Sequence, residues 1–219
     1  MSLRSPAVMA GVFISFEGGE GCGKSTQIKR LAARLEKAGR KVVVTREPGG
    51  TMLGETIRHL LKHSHEGQGM CPEAEILLFS AARAQLVRSV IRPALAEGAV
   101  VLSDRFLDST TVYQGLVRGL DPMMVAAVHQ MAVSECLPRL TVLLSLPVKE
   151  GRKRLMKRVR PVGGEHDRFE AEPDEFHQRV LDGFLQLAKA EPKRVKVVDA
   201  AGTVDEVEQA IWRIVSRVV

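Results

Sequence analysis

The sequence is poor in aromatic residues and cysteines and has no long apolar run. Aromatics make up 4% of its 219 residues, with one tryptophan and one tyrosine. Leu, Val, Ile and Ala must therefore fill most of the core. The three cysteines, Cys22, Cys71 and Cys136, are odd in number and widely spaced. That pattern points to free thiols in a reducing cytoplasm rather than a disulfide framework. No apolar stretch approaches the roughly 20 residues needed to span a bilayer. The opening MSLRSPAVMAG lacks the apolar core and cleavage site of a secretory signal and reads as a flexible leader, residues 1–11. There is no repeat, low-complexity tract or interdomain linker, so residues 12–219 are expected to form one domain.

Positive charge is in surplus, at +6 net. Seven basic residues (Lys149, Arg152, Lys153, Arg154, Lys157, Arg158 and Arg160) fall within KEGRKRLMKRVR. Such a cluster serves nucleic acid, phosphorylated small molecules or simply a solvated helix face, and the solvated face is the plainer reading.

Five short β-branched or apolar runs, at 12–16, 41–45, 100–104, 140–146 and 195–200, read as buried strands. Helical patterns separate them at 24–37, 52–63, 72–95, 122–136, 148–159, 174–190 and 203–217. Pro72 and Pro122 each stand where a first helical residue belongs. The alternation predicts a three-layer α/β domain with a five-stranded parallel sheet. The Gly-, Pro- and charge-rich stretch from 158 to 170 interrupts it and reads as a mobile lid.

Between the first strand and the first helix stands GGEGCGKST, Gly18 to Thr26. Gly18, Gly23, Lys24 and Ser25 match the phosphate-binding P-loop, and the strand–loop–helix context matches too. Glycines let successive N–H groups converge on phosphate oxygens, and the helix N-terminus adds its positive end. Gly18, Gly19, Glu20, Gly21, Cys22, Gly23, Lys24, Ser25 and Thr26 are thus the expected ATP-binding residues. Lys24 is placed to reach the β- and γ-phosphates, and Ser25 to ligate Mg²⁺. Asp104 ends the third strand, where a magnesium-linked carboxylate belongs. Arg105 follows it, positioned to bridge donor and acceptor phosphates. No guanine-reading Asn-Lys-x-Asp is present.

These residues, with TREPGGTMLGETIRHLL, EAEILLFSAARAQLV, DRFLDSTTVYQG and DRFEAEPDEFHQRVLDGFLQLA, make the chain from about residue 12 onward resemble bacterial thymidylate kinases. The resemblance implies a nucleoside-monophosphate kinase fold and transfer of the γ-phosphoryl of ATP to dTMP with Mg²⁺. It also implies a homodimer. It assigns Glu20 to the sugar 3′-hydroxyl, Phe79 to stacking on thymine, and Arg83, Thr110 and Gln114 to the base edge. Tyr113 falls beside the sugar and Arg58 points toward the dTMP phosphate, while Arg46 and Glu47 border the acceptor pocket or simply form a strand-end turn. The P-loop itself has no arginine, so the transferring phosphoryl needs a cation from elsewhere. Arg160 first, and Arg158 second, are the expected catalytic arginines of the lid. Arg168 is expected to orient the lid through Asp167 or Glu170.

Two rivals remain at this level. One is a P-loop ATPase that binds nucleic acid through the basic helix; the other is a kinase for another monophosphate such as dUMP. His59, His63 and His65 carry only weak metal-ligand spacing.

Overall fold

The computed structural model describes residues 11–157 and 167–219. Its sheet contains β1 (Val12–Glu17), β2 (Val42–Arg46), β3 (Val100–Asp104), β4 (Leu140–Ser145) and β5 (Val195–Asp199). All strand pairs are parallel, in the order β2-β3-β1-β4-β5. Along β1 the alternation of side chains sends Val12, Ile14 and Phe16 to one face and Phe13 to the other. The expected strands are therefore all present, within a residue or so at their ends.

The helices are α1 (Lys24–Lys37), α2 (Met52–Lys62), α3 (Pro72–Leu86), α4 (Arg92–Ala96), α5 (Leu107–Thr110), α6 (Pro122–Val133), α7 (Val148–Met156), α8 (Asp174–Ala190) and α9 (Val204–Val215). Leu31 and Leu35 of α1 and Val207 and Ile211 of α9 pack on one face of the sheet. Leu86 of α3 and Ala132 of α6 cover β1 and β3 on the other, while Val180 and Phe184 of α8 pack there beside Leu143 of β4. This is the three-layer arrangement the alternation predicted.

Two departures from the sequence pattern stand out. The helix expected over 72–95 is continuous but widens into a π-helical turn, Val87–Ile91, between α3 and α4. Pro93, which has no N–H to give, sits just beyond it. The second departure is Leu107–Val117, which carries no helical periodicity yet is helical: α5 runs on into a π-helical segment, Thr111–Val117. That segment presents Tyr113 and Gln114, in keeping with the frequent use of π turns at functional sites.

Candidate active site

The loops leaving β1, β2 and β3 all emerge at the carboxyl edge of the sheet, where open α/β folds bind ligands. The P-loop follows β1. Gly18, Gly21 and Gly23 adopt φ of 136°, 72° and 96°, a region open to glycine and costly for other residues. Close approach matters as much as φ. A Cβ on Gly21 would lie 2.3 Å from the Gly151 carbonyl oxygen, and one on Gly151 would lie 2.5 Å from that of Glu20. The P-loop tip thus rests backbone to backbone on α7, the basic helix that leads to residues 158–166. Nothing in the motif spacing foretells Gly151.

Lys24 is buried, and its Nζ donates to the carbonyls of Gly18 (3.1 Å) and Gly19 (2.9 Å). Burial and Arg105 oppose its charge, but Cys22, Glu20 and Asp104 outweigh them and raise its pKa. Ser25 Oγ donates to Asp104 Oδ2 at 2.9 Å, so the two expected metal-binding residues meet. Gly21, Cys22, Gly23, Lys24, Ser25 and Thr26 line a cleft of about 790 Å³ with Arg58, Asp104 and Arg105.

Arg105 has φ 70°, unusual for a side chain of its size. The turn is held by Glu17, whose carboxylate accepts from the Phe106 N–H (2.8 Å), the Ser109 N–H (3.3 Å) and the Ser109 hydroxyl (2.6 Å). Burial, with Asp108 nearby, pushes Glu17 up to about 7. Arg105 then reaches Glu20 with Nη2 at 2.5 Å and Ser109 with Nη1 at 3.2 Å. Burial opposes the Glu20 charge as well, yet Arg105, Lys24 and Lys62 bring that carboxyl down to about 2. For Arg105, burial is overcome by Tyr113, Glu20, Glu17 and Asp104, which keep it charged.

Glu20 also borders a second, narrow pocket of about 30 Å³, lined by Phe79, Arg105, Thr110, Tyr113, Gln114 and Phe169 among others. Phe169 stands there edge-on to Phe79 and Tyr113, with ring centroids 5.9 Å from each. The Tyr113 hydroxyl is buried without a hydrogen-bond partner. Arg83 lies just behind Thr110, fully buried; it pairs with Glu47 at 2.7 Å and donates to Thr110 Oγ1 at 3.0 Å. Its Nη1 is a buried donor with no partner. An unpaired donor in such a place is costly unless a ligand satisfies it. Gln114 Nε2 donates to Glu75 Oε1 at 2.7 Å.

At the end of β2, Arg46 pairs with Glu55, whose carboxylate also accepts from the Gly50 N–H. Glu47 turns inward to Arg83, and Arg58 donates to the Pro48 carbonyl at 2.9 Å while lining the cleft. Burial and neighbouring Arg46 lower the Arg58 pKa. Arg46, Glu47 and Arg58 all line the larger cleft, so the turn after β2 forms part of its wall.

A family model described as thymidylate kinase matches residues 16–211. The thymidylate kinase of Syntrophotalea carbinolica is 52% identical over 201 residues, covering 91% of this chain and 93% of that protein. That of Geobacter sulfurreducens is 50% identical, covering 92% and 94%. The crystal structure of thymidylate kinase from Ehrlichia chaffeensis superposes with a TM-score of 0.75 at 30% identity, covering 94% of this chain and 99% of that one. The chain belongs to the thymidylate kinase family.

Membership fits the P-loop NTPase fold, and it leaves the two pockets to be read residue by residue. Arg158 and Arg160 lie outside the described residues. Arg168 reaches Glu75 with Nη2 at 2.5 Å and the Leu61 carbonyl with Nε at 3.2 Å. Asp167 takes Lys62 Nζ at 2.6 Å. The described end of the lid is therefore fastened to α2 and α3. The basic helix presents the solvated face that its composition implied: Lys149, Lys153, Arg154 and Lys157 are exposed. Arg152 donates to the Glu172 carbonyl and pairs with Asp174, and Lys153 pairs with Glu150. Among the described residues, no group of three or more His, Cys, Asp or Glu is placed to hold a metal ion.

Site residues that carried no signal in the sequence reading are Glu17, Glu75, Ser109, Gly151 and Phe169. Each acts through a partner distant in the chain. Glu17 lies two residues before Gly19, yet its contacts fall at 106–109.

Proposed function

We infer that the chain transfers the γ-phosphoryl group of ATP to dTMP, giving ADP and dTDP. The observation that carries this reading is the junction of a complete P-loop with a narrow aromatic pocket through the Glu20–Arg105 pair. The P-loop backbone and Lys24 hold the triphosphate in the larger cleft. Lys24 must exchange its bonds to Gly18 and Gly19 for phosphate oxygens. Arg105 lies between the two pockets and is held charged, so it aligns donor and acceptor phosphates and offsets their repulsion. The acceptor phosphate is already ionised, so no side chain need act as a strong base, and no covalent enzyme intermediate is required.

Ser25 and Asp104 are hard oxygen donors side by side at the cleft, which suits Mg²⁺ bound by one or two protein groups plus substrate phosphates. Ser25 and Asp104 would hold that ion, and its positive charge would offset the charge developing on the phosphates in transfer. In the base pocket Phe79 stacks on thymine. Arg83 Nη1 meets a base carbonyl, Thr110 and Gln114 frame the edge, and Tyr113 sits beside the sugar. Arg58 faces the acceptor phosphate and Glu20 the sugar 3′-hydroxyl. Arg160, then Arg158, supplies the cation the P-loop lacks, and lid closure over residues 158–170 excludes water.

Residues 12–219 act as one kinase domain behind a leader, in a cytoplasmic setting that suits the free thiols Cys22, Cys71 and Cys136. A homodimer is part of the proposal; Leu77 of α3 and Met123 and Met131 of α6 leave apolar surface exposed. Nucleic acid is not proposed as a partner, since the P-loop cleft and the narrow pocket account for phosphate and base without it. Among the described residues no helix is long and apolar enough to cross a membrane.

Coupled ADP release over a panel of nucleoside monophosphates tests the reading. dTMP with Mg²⁺ should give rapid ADP release, and chelation should abolish it. If dTMP gives no more ADP than buffer while dUMP, dCMP or AMP does, the acceptor assignment is wrong.

A further inference from the structure

Glu75 touches neither pocket, yet its surroundings are unusually complete. It is 1% exposed and lies in the first turn of α3. Oε1 accepts Gln114 Nε2 at 2.7 Å, and Arg118 Nε stands 3.7 Å from the same oxygen. Oε2 accepts Arg168 Nη2 at 2.5 Å. Two arginines from different segments therefore hold the carboxylate in place, one at the described end of the lid and one after the π-helical segment. Arg118 is itself paired with Glu172 at 2.8 Å.

A side-chain amide has two faces, a donor and an acceptor, and exchanging them costs nothing unless a neighbour distinguishes them. A carboxylate held between arginines can only accept. It therefore forces the Gln114 NH₂ toward itself and leaves Oε1 on the other side. Gln114 lines the base pocket, and its Oε1 makes no hydrogen bond among the described residues. Behind Thr110, the orphaned Nη1 of Arg83 offers a donor. The pocket thus holds one fixed acceptor at its wall, Gln114 Oε1, and one unpaired donor, Arg83 Nη1, buried behind Thr110.

We propose that Glu75 is a specificity-determining positioning residue: it locks the Gln114 amide so that the base pocket reads a protonated ring nitrogen beside a carbonyl. Thymine presents that pattern, N3–H next to O4. Cytosine presents the reverse, an unprotonated N3 next to an amino group, and meets two mismatched contacts. A site built to hydrogen-bond a substrate N–H rejects an analogue that leaves its buried polar groups unpaired far more strongly than one that differs only in apolar bulk. This inference rests on the proposed dTMP reading and deepens it.

The test uses 5-fluoro-dUMP, whose ring N3–H ionises at lower pH than that of dTMP. An acceptor fixed toward N3 binds the neutral ring and repels the anion. With the unmodified enzyme, KM for 5-fluoro-dUMP should rise about tenfold per pH unit once the ring ionises, while KM for dTMP stays flat over the same range. Glu75→Gln removes the obligate acceptor and lets the Gln114 amide turn its NH₂ to the pocket. In that variant the 5-fluoro-dUMP profile should flatten. Its kcat/KM for dTMP should fall about tenfold, carried mainly by KM, as expected for one hydrogen bond lost from a fixed geometry. A merely structural role for Glu75 would weaken both substrates alike and leave the shapes of the pH profiles unchanged. A Glu75→Gln enzyme that keeps the steep 5-fluoro-dUMP profile would overturn the proposal. So would an unmodified enzyme whose 5-fluoro-dUMP and dTMP profiles coincide, a result that needs no variant to fold. Failure to phosphorylate dTMP at all would instead refute the acceptor reading beneath it.

Discussion

Around the P-loop, recognition is built from main chain. Gly18, Gly21 and Gly23 set the curve of the loop, Gly151 lets α7 come against it, and even the Lys24 amine is parked on carbonyls. Around the pocket proposed for the base, that task falls to side chains buried in the helical layer. Arg83 leans on Glu47 and Thr110, and Gln114 on Glu75, which in turn leans on Arg168. Phosphate is the same in every nucleotide and suits a convergent set of N–H groups. A base must be told from other bases, which takes donors and acceptors fixed one by one. The two halves meet where Arg105 bonds Glu20.

The contrast can be broken at its hinge first. Arg105→Ala should cut kcat/KM about a thousandfold, with most of the loss in kcat, as removal of a preorganised cation beside a transferring phosphoryl does. Steady-state kinetics with varied ATP and dTMP checks this; a loss confined to KM for dTMP would place Arg105 in binding alone. Phe79→Ala addresses the other half. Loss of base stacking, worth about 1–3 kcal/mol, should raise KM for dTMP roughly ten- to a hundredfold with little change in KM for ATP. Gly151→Ala probes the main-chain contact. Its Cβ would clash with the Glu20 carbonyl at 2.5 Å. It should raise KM for ATP about tenfold while the far-ultraviolet circular dichroism stays unchanged.

Those sites also show why one half was legible and the other less so. Five strands, their parallel order of alternation and the P-loop follow from local signals: apolar runs, Pro72 and Pro122 at helix starts, and a motif whose spacing is its own evidence. Asp104 and Arg105 could be placed because they end a strand. The base half gathers residues 47, 75, 83, 110, 114 and 168, and no local pattern joins them. The resemblance to a family points to Phe79, Arg83 and Gln114. It does not point to Glu75, whose role depends on a contact 39 residues away. Leu107–Val117 was missed as a helix because a π-helical segment breaks the 3.6-residue period on which helical patterns are read.

The smallest effects concern pH. Glu17 serves the phosphate half, and its native pKa is raised from 4.5 to about 7 by burial, then by Asp108. Between those values the native state holds a proton that the unfolded chain has lost, so this group's stabilising contribution declines as pH rises. His129 borders the base half, bonded to Thr111 at 3.1 Å, and burial, then Arg83, lowers it from 6.5 to about 4. There the unfolded chain takes up the proton first, so its contribution is lost as pH falls through that window. From pH 4.5 to 6.5 the two slopes oppose each other. Denaturant unfolding across this range should show a stability that rises with pH in Glu17→Gln and declines with pH in His129→Gln, each by up to about 1.4 kcal/mol per pH unit. Parallel curves for both variants would contradict the assignment of these groups.

The claim on which the account turns is that the P-loop addresses both substrates through Glu20. Glu20→Gln removes the charge that Arg105 faces while keeping the side chain's length. Steady-state titration of each substrate against saturating levels of the other is the direct measurement. The predicted result is a rise of about tenfold or more in KM for dTMP, with KM for ATP changed less than about threefold. A KM for ATP that rises while that for dTMP holds still would confine the loop to the triphosphate and contradict the account.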